Sequence, residues 1–296
     1  MKRIVLWCVL CGFFLAGCGD DKIITPEEGY HNVLVSFSAS PLSSSLKSSG
    51  SIEESLISKL ILYGVDENNM LVQDFREEKI NPSMKGIELS IPIEVTTLYA
   101  IANPTAGFES STISTYSDLI NCIGSFTVAP ITPILMSGKG VINDSEANIE
   151  LIRSVAKIKV EAINEFEIES VVVKNTPNQG YVFIHDTPDA PAASARVNYE
   201  AKKTSSSTNN SIIVYVAENS KLHPTELVVT GKYLDQQATY TIVLKNNDLP
   251  IDIVRNTFYT VRITALSDFE CTFKIEIPEW TEIETDSHEI PDENFA

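Results

Sequence analysis

Residues 33–38 read Val33-Leu34-Val35-Ser36-Phe37-Ser38, and the reading of this short run decides the fold. In an extended chain Val33, Val35 and Phe37 fall on one side, and Leu34, Ser36 and Ser38 on the other. From Val35 onward the alternation is apolar against polar, the period of a strand with one buried face. The chain then changes character. Ser38 to Ser51 is crowded with serine and contains Pro41 and Gly50. It cannot bury much apolar surface and is expected as an exposed loop. Lys47 is the one basic residue in it.

Further strands are expected at short intervals. In the first half they are Lys59–Val65, Ile87–Val95 and Leu98–Ala102. In the second half they are Asn148–Leu151, Val155–Ala162, Ile168–Lys174, Ser211–Ala217, Glu226–Tyr233, Ala238–Leu244, Phe258–Thr264 and Cys271–Ile277. Most are rich in Val, Ile, Tyr, Phe and Thr, which suit a pleated, half-buried surface. Turn signals stand at Asp66-Glu67-Asn68-Asn69, at Asn175 to Gly180 and at Asn246-Asn247-Asp248. One short helix is predicted over Thr115–Cys122, with Thr115 and Asp118 at capping-box spacing and Gly124 as its stop. Ser137 to Glu146 reads as a polar break. The pattern is mainly β, with many short strands of the kind that build sandwiches. A boundary near residue 150 gives two domains of ordinary size, 31–150 and 151–296, the second ending in an acidic tail.

Ahead of them Lys2 and Arg3 precede an apolar run from Ile4 to Leu15. A membrane-spanning helix needs about 20 apolar residues, so this shorter run reads as a secretory signal, residues 1–17. Leu15-Ala16-Gly17-Cys18 looks like a lipobox, making Cys18 the lipidated first residue of the exported chain. Residues 18–30 form a polar tether. The net charge is −18, and loss of Lys2 and Arg3 makes it more negative. Such acidity argues against nucleic acid as a partner.

Little in the sequence points to catalysis. Of five cysteines only Cys122 and Cys271 would remain beside Cys18, and their spacing does not demand a disulfide. The four histidines, His31, His185, His223 and His288, are not at metal-ligand spacing. No nucleophile elbow or phosphate loop is present. No catalytic residue, metal or cofactor is expected. An exposed aromatic platform for sugars is a second possibility, with Trp280, Tyr181 and Tyr233 as candidates.

Several stretches, in order along the chain, resemble the fimbrillin family, the subunits of type V pili in the Bacteroides group. They are the lipobox at Cys18, the strand Val33–Ser40 with its lysine-bearing loop, Thr97 to Asn103, Leu135-Met136-Ser137-Gly138, Ile152 to Ile158, Val254 to Val261 and Pro278-Glu279-Trp280. The resemblance implies two tandem transthyretin-like β-sandwich domains. It implies a pilus subunit, surface-exposed at the outer membrane, held there by its lipid before processing and then part of the fimbrium. Other pilus subunits would be its partners in a homo- or hetero-polymer, with a host or bacterial adhesion target beyond. In that family a protease cuts after a basic residue, usually Arg, in the loop following the first strand. The matching residue here is Lys47. Either Lys47 is the cleavage site, or the chain stays uncut as a lipid-retained pilus anchor. Val33, Val35 and Phe37 would form the removable plug strand. Phe273, Ile275 and Ile277 would face inward from the donor strand that fills another subunit.

Overall fold

The computed structural model describes residues 29–39, 52–79, 86–106, 108, 112–126, 130, 132–163, 165–203, 210–246, 248–266 and 271–276. The signal segment, Cys18, Lys47, Ile277 and Trp280 lie outside these residues.

The first half contributes β1 (Tyr30–Ala39), β2 (Lys59–Val65), β3 (Leu71–Lys79), β4 (Gly86–Pro92), β5 (Thr97–Ala102), α1 (Tyr116–Ile120), β6 (Ile123–Ser125), β7 (Met136–Asn143) and β8 (Glu146–Arg153). A 3₁₀ turn, Ile52–Ser55, precedes β2. A seven-stranded sheet runs in the order β3-β2-β5-β7-β8-β1-β4. The second half contributes β9 (Val155–Ala162), β10 (Phe166–Pro177), β11 (Gln179–Tyr181), β12 (Arg196–Lys202), β13 (Ser211–Ala217), β14 (Glu226–Tyr233), β15 (Gln236–Val243), β16 (Lys245–Asn246), β17 (Leu249–Pro250), β18 (Phe258–Leu266) and β19 (Cys271–Glu276). Two four-stranded sheets result, β12-β10-β14-β15 and β13-β9-β18-β19. Their inner faces meet over Ile158, Val160, Phe166, Val171, Val214, Val229, Ile242 and Tyr259.

In the first sheet, β1 and β2 are separated by three strands, yet Val33 and Val35 share one core with Leu60, Leu62, Leu98 and Ala100. The sheet must therefore curl back on itself. The bend lies where β8 crosses β7. Their ladder holds at both ends, Met136 with Arg153 and Asn143 with Glu146. Between these ends, Gly138 and Gly140 lie under the carbonyls of Glu150 and Asn148. A Cβ at Gly140 would stand 2.6 Å from the Asn148 oxygen, and one at Gly138 would collide with that of Glu150. Glycine is needed here because two backbones touch.

β2 and β5 are buried on both faces, which explains their continuous apolar runs. Leu60, Leu62, Leu98 and Ala100 face the first core, and Ile61, Tyr63, Tyr99 and Ile101 face another. That further core also holds Leu119 of α1, Leu135, Val155, Val182, Phe183 and Ala217, so it joins the two halves. The pairing of β6 with β11 joins them again through Ile123–Ser125 and Gln179–Tyr181.

Three expectations are corrected. Ser137 to Glu146 is not a break, because β7 and the start of β8 run through it. The Asn175 signal marks no chain reversal. It is a bulge inside β10, where Asn175 has φ 61° and the register with β12 shifts between Val173 and Thr176. The predicted helix carries its capping box, Thr115 with Asp118, but its C-cap is Asn121, and Gly124 lies in β6.

Replacing Gly138 by Ala should therefore cost about 3 kcal/mol, at the upper end for overpacking. We expect the melting temperature to fall by roughly 5 °C or more. An unchanged melting curve would show that the β7–β8 crossing is looser than described.

Candidate assembly site

β1 lies between two partners. It pairs antiparallel with β4, from Tyr30 opposite Pro92 to Ser36 opposite Gly86. It pairs parallel with β8, from Leu34 opposite Glu146 to Ala39 opposite Leu151. β4 has no other strand partner among the described residues. Val33 and Val35 are fully buried, and Phe37 and Ala39 pack against the same core. Leu34, on the other face, is 46% exposed. The alternation read from the sequence is thus the alternation of the slot.

Fully burying a Val or Phe side chain is worth about 1.5–3 kcal/mol. Val33, Val35 and the partly buried Phe37 together contribute several kcal/mol, a large share of a net folding stability of about 5–15 kcal/mol. Removing β1 would also strip partners from the backbone groups of β4 and from one edge of β8.

Phe273 and Ile275 lie in β19, an edge strand that pairs only with β18 among the described residues. Both side chains are partly buried against the second core. Tyr181 stacks on His185 with ring centroids 3.8 Å apart, and Tyr233 packs on the second core. A cleft that sequence reading did not single out, about 540 Å³, is lined by Tyr99, Tyr116, Lys139, Glu150, Phe183 and His185. Burial pushes the Cys122 thiol up to about 12, and Cys122 has no disulfide partner among the described residues. Among the described residues no group of three or more His, Cys, Asp or Glu could hold a metal ion. No helix among them is long and apolar enough to cross a membrane.

Residues of the stretches singled out in the sequence tie distant segments of the chain together through side-chain hydrogen bonds. Asn103, with φ 52°, accepts from the Ser58 amide at 2.9 Å and donates to the carbonyls of Leu56 at 2.7 Å and Ile134 at 2.9 Å. Ser137 donates to the Val182 carbonyl at 2.6 Å. Arg153 donates through Nε to the Glu54 carbonyl and through Nη2 to Ser55 Oγ, each at 3.0 Å, and through Nη1 to Asn256 Oδ1 at 3.0 Å. Its pKa is lowered by burial, an effect that Glu54 opposes. Lys157 Nζ lies 2.7 Å from Glu54 Oε1, which also accepts from the Tyr215 hydroxyl at 2.6 Å. Arg255 pairs with Glu218 at 2.5 Å and donates to the carbonyls of Val182 and Tyr181. Glu54 escaped the sequence reading because its partners are remote and its own neighbourhood is polar.

This is a mainly-β protein whose first strand fills a slot between two others. The sequence profile of the fimbrillin-A associated anchor proteins Mfa1 and Mfa2 matches residues 25–286, and the chain belongs to that family. None of the curated proteins matches it by sequence. Among solved structures it is similar to the tip fimbrial protein Mfa3 of Porphyromonas gingivalis in a C-terminally truncated form. The identity is 15%, with 84% of this chain and 100% of that one covered and a TM-score of 0.59. A candidate cell adhesion protein from Bacteroides eggerthii matches at 14% identity over 86% and 97%, with a TM-score of 0.57. Another from Parabacteroides distasonis matches at 17% identity over 86% and 98%, also with a TM-score of 0.57. At these identities the likeness is one of fold.

Val35→Ala should cost about 2 kcal/mol, from two lost methyl groups and the cavity they leave. Leu34→Ala should stay within about 0.5 kcal/mol. Urea denaturation of the two variants checks this. Equal losses would mean that β1 does not sit with one face buried.

Proposed function

We propose that the chain is a lipoprotein component of a type V pilus, assembled by exchange of its first strand and contributing to adhesion rather than to catalysis. In this reading residues 1–17 direct export, Cys18 carries lipid at the outer membrane, and 31–150 and 151–296 are two transthyretin-like sandwiches. A protease cuts after Lys47, β1 leaves, and an extended segment of a neighbouring subunit enters between β4 and β8. Entry adds a strand to both free edges, the mode of binding known as β-augmentation. Contact of this head-to-tail kind need not close, so it can propagate along a fibre. The donor would be the β19 region, through Phe273, Ile275 and Ile277.

The observation that carries the reading is β1 itself: the first strand of the described residues, with Val33 and Val35 fully buried, followed in the sequence by a serine-rich stretch whose one basic residue is Lys47. Family membership supports the pilus association. The fimbrial and adhesion proteins of like fold support it too. The family's name favours a second reading, in which the chain keeps both lipid and β1 and holds the pilus at the membrane.

The first residue of the protein isolated from its native cells separates the two. A chain beginning at Ser48 is expected for a processed subunit, and lipidated Cys18 for a retained anchor. For the processed form, brief trypsin treatment should yield detergent-resistant ladders on a gel. A cut protein that stays monomeric would contradict assembly by strand exchange.

A further inference from the structure

The turn Ile52–Ser55 follows the serine-rich stretch of sequence directly, yet it carries one of the most deeply buried charges of the described residues. Glu54 is 2% exposed, and nothing in its local sequence calls for burial. What holds it comes from across the molecule. Lys157 on β9 and Tyr215 on β13 converge on Oε1 at 2.7 and 2.6 Å. Arg153, at the end of β8, takes the backbone carbonyl of Glu54 and the hydroxyl of Ser55. Lys157 Nζ also lies 5.0 Å from the centre of the Phe258 ring. Two residues further on, Asn103 takes the Leu56 carbonyl and the Ser58 amide. Residues 54–58 are therefore fastened at almost every step. Among the described residues no ion pair fastens β1, which is held by its two ladders and its apolar face.

We propose that Glu54 is the pin that limits strand loss to β1. When the chain is cut ahead of the turn, β1 can leave, while everything from Glu54 onward stays fixed to β8, β9 and β13. The inference deepens the strand-exchange reading and rests on it. The contrast between the two segments is one of kinetics as well as strength. A ladder and a row of apolar side chains can be replaced by an equivalent strand from another chain. A buried carboxylate that withdraws leaves the Lys157 ammonium buried without its partner, which is strongly unfavourable. Exchange therefore stops at the pin. The next strand, β2, starts at Lys59 and has both faces buried, so its loss would open two cores at once.

The test is limited trypsin digestion of the full chain, read by intact mass. The wild-type protein should give a stable fragment beginning at Ser48, with Lys59 uncut. Glu54→Gln should shift the fragment to begin at Leu60, with cleavage at Lys59 faster by about tenfold, since cleavage follows the population of the opened segment. Tyr215→Phe keeps the ring and removes one donor, and should raise that rate by roughly threefold on the same grounds. Hydrogen exchange over residues 54–58 supplies a readout that needs no cut at Lys47. It should quicken in both variants while β14 and β15 stay protected. Equal fragments and equal exchange in wild type and Glu54→Gln overturn the proposal. If Glu54→Gln loses protection throughout, Tyr215→Phe decides, and unchanged exchange at 54–58 in that variant overturns the pin. A wild-type chain left uncut at Lys47, with exchange still quickened at 54–58 in the variants, defeats the strand-exchange reading and leaves the pin standing.

Discussion

A strand that hydrogen-bonds along both edges and buries one face cannot leave alone without exposing two rows of backbone groups and a hydrophobic trough. β1 is such a strand, and the first half of the molecule is arranged around it. Among the described residues β4 reaches the sheet only through β1. β8 faces β1 on one edge and crosses β7 on the other, where Gly138 and Gly140 let the backbones touch. The curl that brings Val33 and Val35 against Leu60 and Leu62 depends on both features. The same geometry that makes β1 costly to lose makes its slot selective. Any segment that replaced β1 would have to run parallel to β8 and antiparallel to β4, with apolar side chains at every second position.

The two halves are joined by contacts of a different chemistry. A core of Ile61, Tyr63, Phe126, Leu135, Val155 and Phe183 supplies the apolar part. Lys157 and Tyr215 of the second half reach Glu54 of the first, Arg153 reaches Asn256, and Ser137 reaches the Val182 carbonyl. Buried ion pairs of this kind add little net stability compared with apolar replacements, and are costly to break on one side. They suit a junction that must keep one geometry.

Much of this was legible in the sequence wherever local pattern and burial agree. The bounds expected for β2, β9, β13 and β14 are those observed, because each is a continuous or alternating apolar run. Elements set by long-range events were not legible. β3 carries Asp74, Arg76, Glu77, Glu78 and Lys79, a composition that does not read as a strand. In β12 only Tyr199 is buried, so its periodicity is faint. β7 looked like a break because its two glycines and Lys139 are polar or small, and only the crossing of β8 explains them. Of the candidate site, Val33, Val35 and Phe37 were readable because a single strand shows its own alternation. Glu54 was not, since its ion pair with Lys157 spans 103 residues of chain.

The central claim is that β1 is a replaceable part of the sheet. Its most direct test is complementation of the chain that begins at Ser48, freed of its first strand, with a synthetic peptide carrying residues 30–39. The account predicts a protein that melts early alone and regains stability with rising peptide concentration, while a peptide with Val33 and Val35 changed to Asp has no effect. A protein equally stable with and without the peptide would contradict it.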